Sequence, residues 1–341
     1  MAHDRHPYRQ GLLSFLTINF LCGSATGILQ LAIPLYALSL KATTVQLGLI
    51  SGVSGVGRML IIVPSGLVVD RCGARRLFVA STGACVCLVG VMQIVTSPWT
   101  LMAVMFFQGM AQSVSFLALQ AGFLKRLPFL EPTQAGWQRG ATQLGYYLVG
   151  PVAGGLLLQN SRYGETFLLV CGAFILSLGF SFYRRLTGIH EVADAVVPDD
   201  AGDLRKLRVL LSDPLLLQVL GIECVGAAIF MLFRTFVAPV AVEVLHLPVS
   251  AVSIIIIFQG TCAMASMLGG GKLVNRYSAS RLFAGASLLV IAGMLLLANA
   301  SGFFTYFLGS VVYGFGTGLL SLCSLSRLVD VAGEKGKIAA L

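Results

Sequence analysis

Charge is scarce in this chain. Only 11% of its 341 residues are Asp, Glu, Lys or Arg, against about 25% in an ordinary soluble domain. Hydrophobic residues make up 57%, and the mean hydropathy is +0.87. A surface wetted on every side cannot be built from so few ionised groups, which excludes a soluble globule. Histidine is sparse and dispersed: His3, His6, His190 and His246 fall in tails and loops, which leaves no metal cluster and no catalytic triad. The Gly-rich runs lie inside apolar segments, and none leads into the Lys-Ser/Thr of a phosphate-binding loop. An enzyme, a cofactor site, a metal site and ATP-driven work are therefore not expected. The eight cysteines, Cys22, Cys72, Cys85, Cys87, Cys171, Cys224, Cys262 and Cys323, fall nearly all in apolar runs without metal-type pairing, so they read as small packing residues. The net charge of +9 is scattered between apolar spans rather than gathered on one solvated face, which argues against a nucleic-acid partner.

What the chain has in abundance is apolar length. Crossing a bilayer takes ~20 apolar residues, and ten such runs can be drawn: 11 to 37, 44 to 68, 75 to 96, 98 to 124, 135 to 159, 164 to 185, 214 to 243, 250 to 275, 279 to 299 and 302 to 327. Ser97-Pro98 and Asp213-Pro214 mark helix starts, each a capping residue followed by proline at the first helical position. The first run follows Arg5 and Arg9, is longer than a signal peptide, and offers no small-x-small cleavage site, so it reads as an uncleaved first helix. One long polar stretch, 186 to 213, divides the chain into an N-terminal six-helix bundle (1 to 185) and a C-terminal four-helix bundle (214 to 341). It ends in Arg205-Lys206-x-Arg208 and reads as a cytoplasmic linker at the membrane surface. Lys and Arg alternate sharply along these spans. Nineteen of the 23 fall in alternate segments beginning with the N-terminus, only Lys41 and Arg162 fall in the others, and Arg58 and Arg234 lie within helices. Both termini are therefore expected in the cytoplasm, with the lipid of the cell's inner (plasma) membrane as the chain's main partner.

The chain also repeats itself. Between the second and third runs lies Gly66-Leu-Val-Val-Asp70-Arg71-Cys-Gly73-Ala-Arg75-Arg76-Leu77, a charged turn in which Asp70 and Gly73 can end one helix and reverse the chain. At an offset of 205 residues the same frame recurs. Gly271 falls on Gly66, Asn275 on Asp70, Arg276 on Arg71, and Arg281-Leu282-Phe283 on Arg76-Leu77-Phe78. Gly-x-x-x-Asp-Arg-x-Gly-x-Arg-Arg between the second and third of many apolar helices resembles the loop signature of the major facilitator superfamily of transporters. Ala74 departs from the usual first Arg, and Asn275 and Ser278 replace the acid and the glycine in the second copy. In the fifth run, Gly150-Pro151-x-x-Gly154-Gly155 resembles the core of the fifth-helix signature of that superfamily's proton-linked exporters. Small residues also recur four apart at Gly23 and Gly27, Gly48 and Gly52, Gly150 and Gly154, and Gly314 and Gly318, the spacing that lets helices approach closely in lipid.

The resemblance implies an all-α membrane fold of two pseudo-symmetric bundles, a small-molecule substrate and alternating access. Six helices and four are unequal. Two more would complete the repeat, and Gly336-Lys337-Ile-Ala-Ala-Leu341 reads as the start of the next, so the C-terminal bundle is expected to be incomplete. A non-transporting remnant is the corresponding alternative. The residues themselves point to three charges inside the membrane, each costing at least ~2.5 to 3.5 kcal/mol unless paired or hydrated. Arg58 lies twelve residues before Asp70, ~18 Å along a helix. Glu223 lies nine residues past Pro214, ~14 Å in, and Arg234 follows eleven residues later on the same helix face. Glu223 is the candidate proton carrier; the arginines are candidate substrate or gating charges, with ion pairing as the plainer alternative. In the superfamily the first, fourth, seventh and tenth helices line the cavity, which by resemblance adds Asn19, Gln30, Gln108, Gln112, Tyr313 and Thr317. The fourth run carries Gln108 and no basic residue before Lys125, unlike many drug exporters, which leaves a small organic anion beside proton-coupled export.

Thiol labelling tests the orientation. A membrane-impermeant reagent added outside sealed cells should reach cysteines placed beside Lys41 and Arg162 and should miss native Cys72. Labelling of Cys72 from outside would reverse the topology.

Overall fold

A computed structural model describes residues 6 to 124, 137 to 160, 162 to 182, 214 to 269 and 279 to 334. Among them every regular element is helical: α1 (His6–Ser39), α2 (Thr44–Cys72), α3 (Ala74–Met92), α4 (Pro98–Leu124), α5 (Trp137–Leu144), α6 (Gly150–Leu158), α7 (Tyr163–Phe182), α8 (Pro214–Pro239), α9 (Val249–Gly269), α10 (Ala279–Ala298) and α11 (Phe303–Glu334). Nine helical spans among the described residues are long and apolar enough to cross a membrane, one of them, Cys224–Val244, running from α8 through the π turn that follows it. The fifth expected run is not one helix. It is α5 and α6 joined by the π-helical turn Gly145–Val149. Pro151 has no N–H to give to a carbonyl one turn back, and its ring crowds that turn, so the winding loosens just ahead of it. Two other boundaries differ from expectation. α1 begins at His6, and α2 continues through Asp70 to Cys72, so Asp70 does not end it. Gly73 alone makes the break between α2 and α3, at φ 82°, a backbone conformation open to glycine and strained for other residues. The second copy, Gly271 to Ser278, and the polar stretch 186 to 213 lie outside the described residues.

The chain gathers into two units, Met1–Val197 and Pro198–Leu341. In the first, α1 packs on α5, the π turn, α6 and α7, while α4 packs on α2 and α3, and α3 on α7. Contact is backbone on backbone. Gly27 lies against Tyr146 O and Gly150, and a Cβ added at Gly150 would stand 2.7 Å from Gly27 Cα. Gly23 likewise faces the Thr142 carbonyl, and Gly145 faces Phe20 O and Ser24 N. The Gly-Pro-x-x-Gly-Gly signature is thus the surface on which α1 rests. Aromatic contacts hold the Ser39 end of α1. The Tyr36 hydroxyl donates to Val95 O at 2.6 Å, that of Tyr163 to Leu35 O at 3.2 Å, and Phe167 meets the Tyr36 ring edge-on. In the second unit α11 is the centre, packed on α8, α9 and α10.

The 205-residue repeat is visible in the geometry. Gly109 of α4 rests on Ser54 of α2, and Gly314 of α11 rests on Gln259 of α9. An added Cβ would stand 3.0 Å from Ser54 Cα in one and 3.1 Å from Gln259 Cα in the other. Both glycines and both partners are 205 apart. So are Pro34 in α1 and Pro239 in α8, and so are the two non-glycine residues of positive φ, Lys41 (58°) and His246 (52°). One detail breaks the symmetry. After α1 the Ala42 N–H returns five residues, to Ala37 O; after α8 the Leu247 N–H returns six, to Ala241 O. The extra residue belongs to the π turn Val240–Val244 that follows Pro239.

These contacts predict a paired result. Gly109→Ala and Gly314→Ala, together with Gly27→Ala, should each cost about 1 to 3 kcal/mol, because backbones must separate. Gly83→Ala, where nothing lies within 4 Å, should be neutral or stabilising by up to about 1 kcal/mol. Thermal unfolding in detergent measures both. Equal tolerance at Gly109 and Gly83 would mean the helices do not meet through glycine.

Candidate polar site within the bundles

In the first unit a chain of hydrogen bonds crosses three helices. Arg58, half-buried on α2, donates from Nη2 to Gln112 Oε1 on α4 at 3.4 Å, a long contact. Gln112 Nε2 donates to Thr26 Oγ1 on α1 at 2.7 Å, and Thr26 donates its own proton to Cys22 O at 2.7 Å. Gln112 and Thr26 are both buried. Two residues expected near a substrate, Arg58 and Gln112, are therefore brought together, through a third that the sequence reading did not include. Thr26 lies seven residues after Asn19, two helical turns along the same face, and that spacing was the available signal.

The other amides of the first unit divide. Asn19 donates to Phe15 O at 2.8 Å, and its Oδ1 takes Gln138 Nε2 of α5 at 3.3 Å, so it ties α1 to the fifth span. Gln30 is 9% exposed, and its Oε1 has no hydrogen-bond partner among the described residues. Gln108, 2% exposed, lies near the Cys85 thiol of α3, and neither its Oε1 nor its Nε2 has a hydrogen-bond partner among the described residues. Ser115, two turns along from Gln108, meets Thr82 of α3 at 2.9 Å. Gln108 thus belongs to the α3–α4 contact, whereas Gln112, rotated by about 40°, belongs to the path between α1 and α2.

The second unit is aromatic where the first is amide. Tyr313 of α11, the 205-residue counterpart of Gln108, is fully buried, stacks on Phe233 of α8 at 4.4 Å, and donates to Ile229 O at 3.4 Å. Thr317, the counterpart of Gln112, donates to Gly314 O of its own helix at 3.0 Å. Arg234 is half-buried on α8 beside Phe233. α8 runs unbroken from Pro214 to Pro239, so the spacing of Glu223 and Arg234 keeps their backbone positions on one helix face; the Glu223 side chain lies outside the described part.

The loop signature closes the first unit at one end. Arg75 Nε donates to Ser181 O at the end of α7 at 3.1 Å, and its guanidinium lies 5.9 Å from the centre of the Phe182 ring. A cation at a helix C-terminus meets carbonyls left without helical donors, which favours this contact. Arg76 and Arg281 are exposed and Gly66 is half-buried; the Asp70 and Arg71 side chains, and Gly271, Asn275 and Arg276, are outside the described set. In the fifth span Gly150, Pro151, Gly154 and Gly155 are all buried.

Sequence and fold comparisons agree with this architecture. The family model described as Major Facilitator Superfamily matches residues 15–341. The fold is similar to that of the nucleoside transporter NupG, solved as a point variant, with a TM-score of 0.80 at 14% identity over 96% of this chain and 85% of that one. It is also similar to a bacterial homologue of the human lysosomal transporter Spinster in an inward-facing, occupied conformation, with a TM-score of 0.69 at 14% identity over 100% of this chain and 78% of that one. At such identities the likeness is one of fold. No curated protein sequence matches.

The hydrogen-bond chain gives a contrast to measure. Gln112→Leu removes the acceptor for Arg58 and the donor to Thr26, and should cost about 1 to 3 kcal/mol. Thr317→Val, which removes only a bond within one helix, should cost under about 1 kcal/mol. Similar thermal shifts for the two variants would deny the chain across α1, α2 and α4 any special weight.

Proposed function

The chain belongs to the major facilitator superfamily, and from that membership we propose that it is a secondary transporter carrying a small polar solute across the bilayer by alternating access. The observation that carries this reading is the Arg58–Gln112–Thr26 chain. A guanidinium inside a membrane-crossing bundle is costly and is retained where it does work, most often on a solute, an ion or a gate. One amide, Gln112, meets this one, and a hydroxyl, Thr26, anchors that amide. Movement has a local basis as well: α1 rests on glycines of a fifth span whose winding is already loosened by the π turn, so the two helices can shift against each other without losing interlocked side chains.

In this proposal Arg58, Gln112, Gln30 and Asn19 in the first bundle and Arg234, Tyr313 and Thr317 in the second are the solute-handling or gating set. Gln108, turned toward α3, supports them from behind. Glu223 is the proton carrier, loading on one side of the membrane and releasing on the other, with export from the cytoplasm as the direction and both termini cytoplasmic in the plasma membrane. The two intramembrane arginines favour one alternative solute, a small organic anion. NupG is named for nucleosides, so uridine is a sensible neutral probe.

Purified protein in liposomes with an imposed pH difference tests this with uridine, benzoate and tetraphenylphosphonium. Accumulation of at least one polar probe is expected. Glu223→Gln should abolish accumulation driven by pH while leaving exchange at equal pH measurable. Undiminished accumulation by that variant would remove Glu223 from proton coupling; no movement of any probe above protein-free liposomes would count against transport itself.

A further inference from the structure

Thr26 has one proton, and the geometry spends it on Cys22 O at 2.7 Å. Its oxygen can then only accept from Gln112, whose closest atom to it stands 2.7 Å away. An acceptor at that point selects the amino end of the Gln112 carboxamide. The carbonyl end must therefore face Arg58, as it does at 3.4 Å. The opposite orientation would set an N–H donor against a guanidinium that has only donors, and at Thr26 would require the hydroxyl proton to leave Cys22 O. The polarity of the whole chain, from Arg58 through Gln112 to the α1 backbone, is thus set from both ends, by a guanidinium that only donates and by a hydroxyl whose proton is already given to Cys22 O.

We propose that Thr26 is a positioning residue for transport: by fixing the orientation of Gln112 it aims the Arg58 guanidinium, and so tunes a group handling the solute without touching the solute itself. This rests on the transport reading above. Val at position 26 keeps the branched shape and removes the acceptor. Gln112 then keeps only its contact with Arg58 and loses the anchor on α1 that sets where its oxygen meets the guanidinium. Ser keeps the hydroxyl and should restore the anchor. The effect should vanish when Gln112 or Arg58 has already been changed, because Thr26 has then nothing to aim.

Two measurements test this, one of which needs no solute. In protein labelled with 15N-arginine and held in nanodiscs, the Arg58 side-chain signals are those lost in Arg58→Lys. Thr26→Val should move them in the direction that Gln112→Ala moves them, the double variant should show no further movement, and Thr26→Ser should return them to their native positions. Signals that move in Gln112→Ala and stay in place in Thr26→Val would overturn the proposal. In proteoliposomes supplied with uridine or benzoate, Thr26→Val should raise KM by about tenfold with maximal rate changed less than about twofold, and should add nothing in the Arg58→Lys background. Losses that multiply across the two sites would show that Thr26 acts apart from Arg58 and overturn its positioning role. If the native protein carries neither probe, the transport reading fails for those probes, and the arginine signals decide the Thr26 proposal alone.

Discussion

Helices surrounded by hydrocarbon gain nothing by hiding leucine from one another, so the distance at which their backbones can meet decides what else is possible. Here that distance is set by glycine. Gly23 and Gly27 against Gly145 and Gly150 bring α1 onto the fifth span, and Gly109 on Ser54 and Gly314 on Gln259 bring α4 onto α2 and α11 onto α9. The polar chemistry depends on this closeness. A carboxamide and a threonine are short, and Gln112 reaches both Thr26 and Arg58 because α1, α2 and α4 stand near enough for one side chain to span them. Wider spacing would leave the same groups facing hydrocarbon, at a cost of several kcal/mol for each unmet donor or acceptor.

The two halves use the same frame for different ends. Proline, the positive-φ turn residue and the glycine contact recur at an offset of 205, which preserves the backbone. The side chains carried on that backbone diverge. Gln108 and Gln112 become Tyr313 and Thr317, Ser54 becomes Gln259, and Arg58 becomes Ala263. The first bundle therefore concentrates hydrogen-bonding capacity across its helices, while in the second Tyr313 stacks on Phe233 and Thr317 turns back on its own helix.

Much of this was legible in the sequence, and for a physical reason. Membrane helices declare themselves by length and composition, so the spans, the duplication and the loop at Gly73 could be read without knowing any contact. Glycines four apart signalled close helix contact, but which helices meet through them, α1 and the fifth span among them, needs the structure. Helix interruption was harder. Pro151 signalled a bend, but proline also occurs at Pro34 and Pro64 inside α1 and α2 without dividing them, so the residue type alone does not tell which proline loosens its helix into a π turn. Side-chain pairing was harder still. Nothing in a row of polar residues tells that Asn19 turns to α5, Gln108 to α3 and Gln112 to Arg58, because a rotation of about 40° along one helix changes the neighbour. A threonine in an apolar run ordinarily bonds its own helix, as Thr26 does here with Cys22; its second contact, with Gln112, depends on the partner helix.

The central claim is that the Arg58–Gln112–Thr26 chain belongs to a carrier that exposes its site to one side at a time. Counterflow measures this most directly. Liposomes loaded with a saturating unlabelled probe, with no ion gradient, are diluted into a trace of the labelled probe. A carrier of this kind predicts a transient overshoot of label above equilibrium that saturates with internal probe and shrinks in Arg58→Lys. Entry that rises linearly, without overshoot and equal to that of protein-free liposomes, would contradict it.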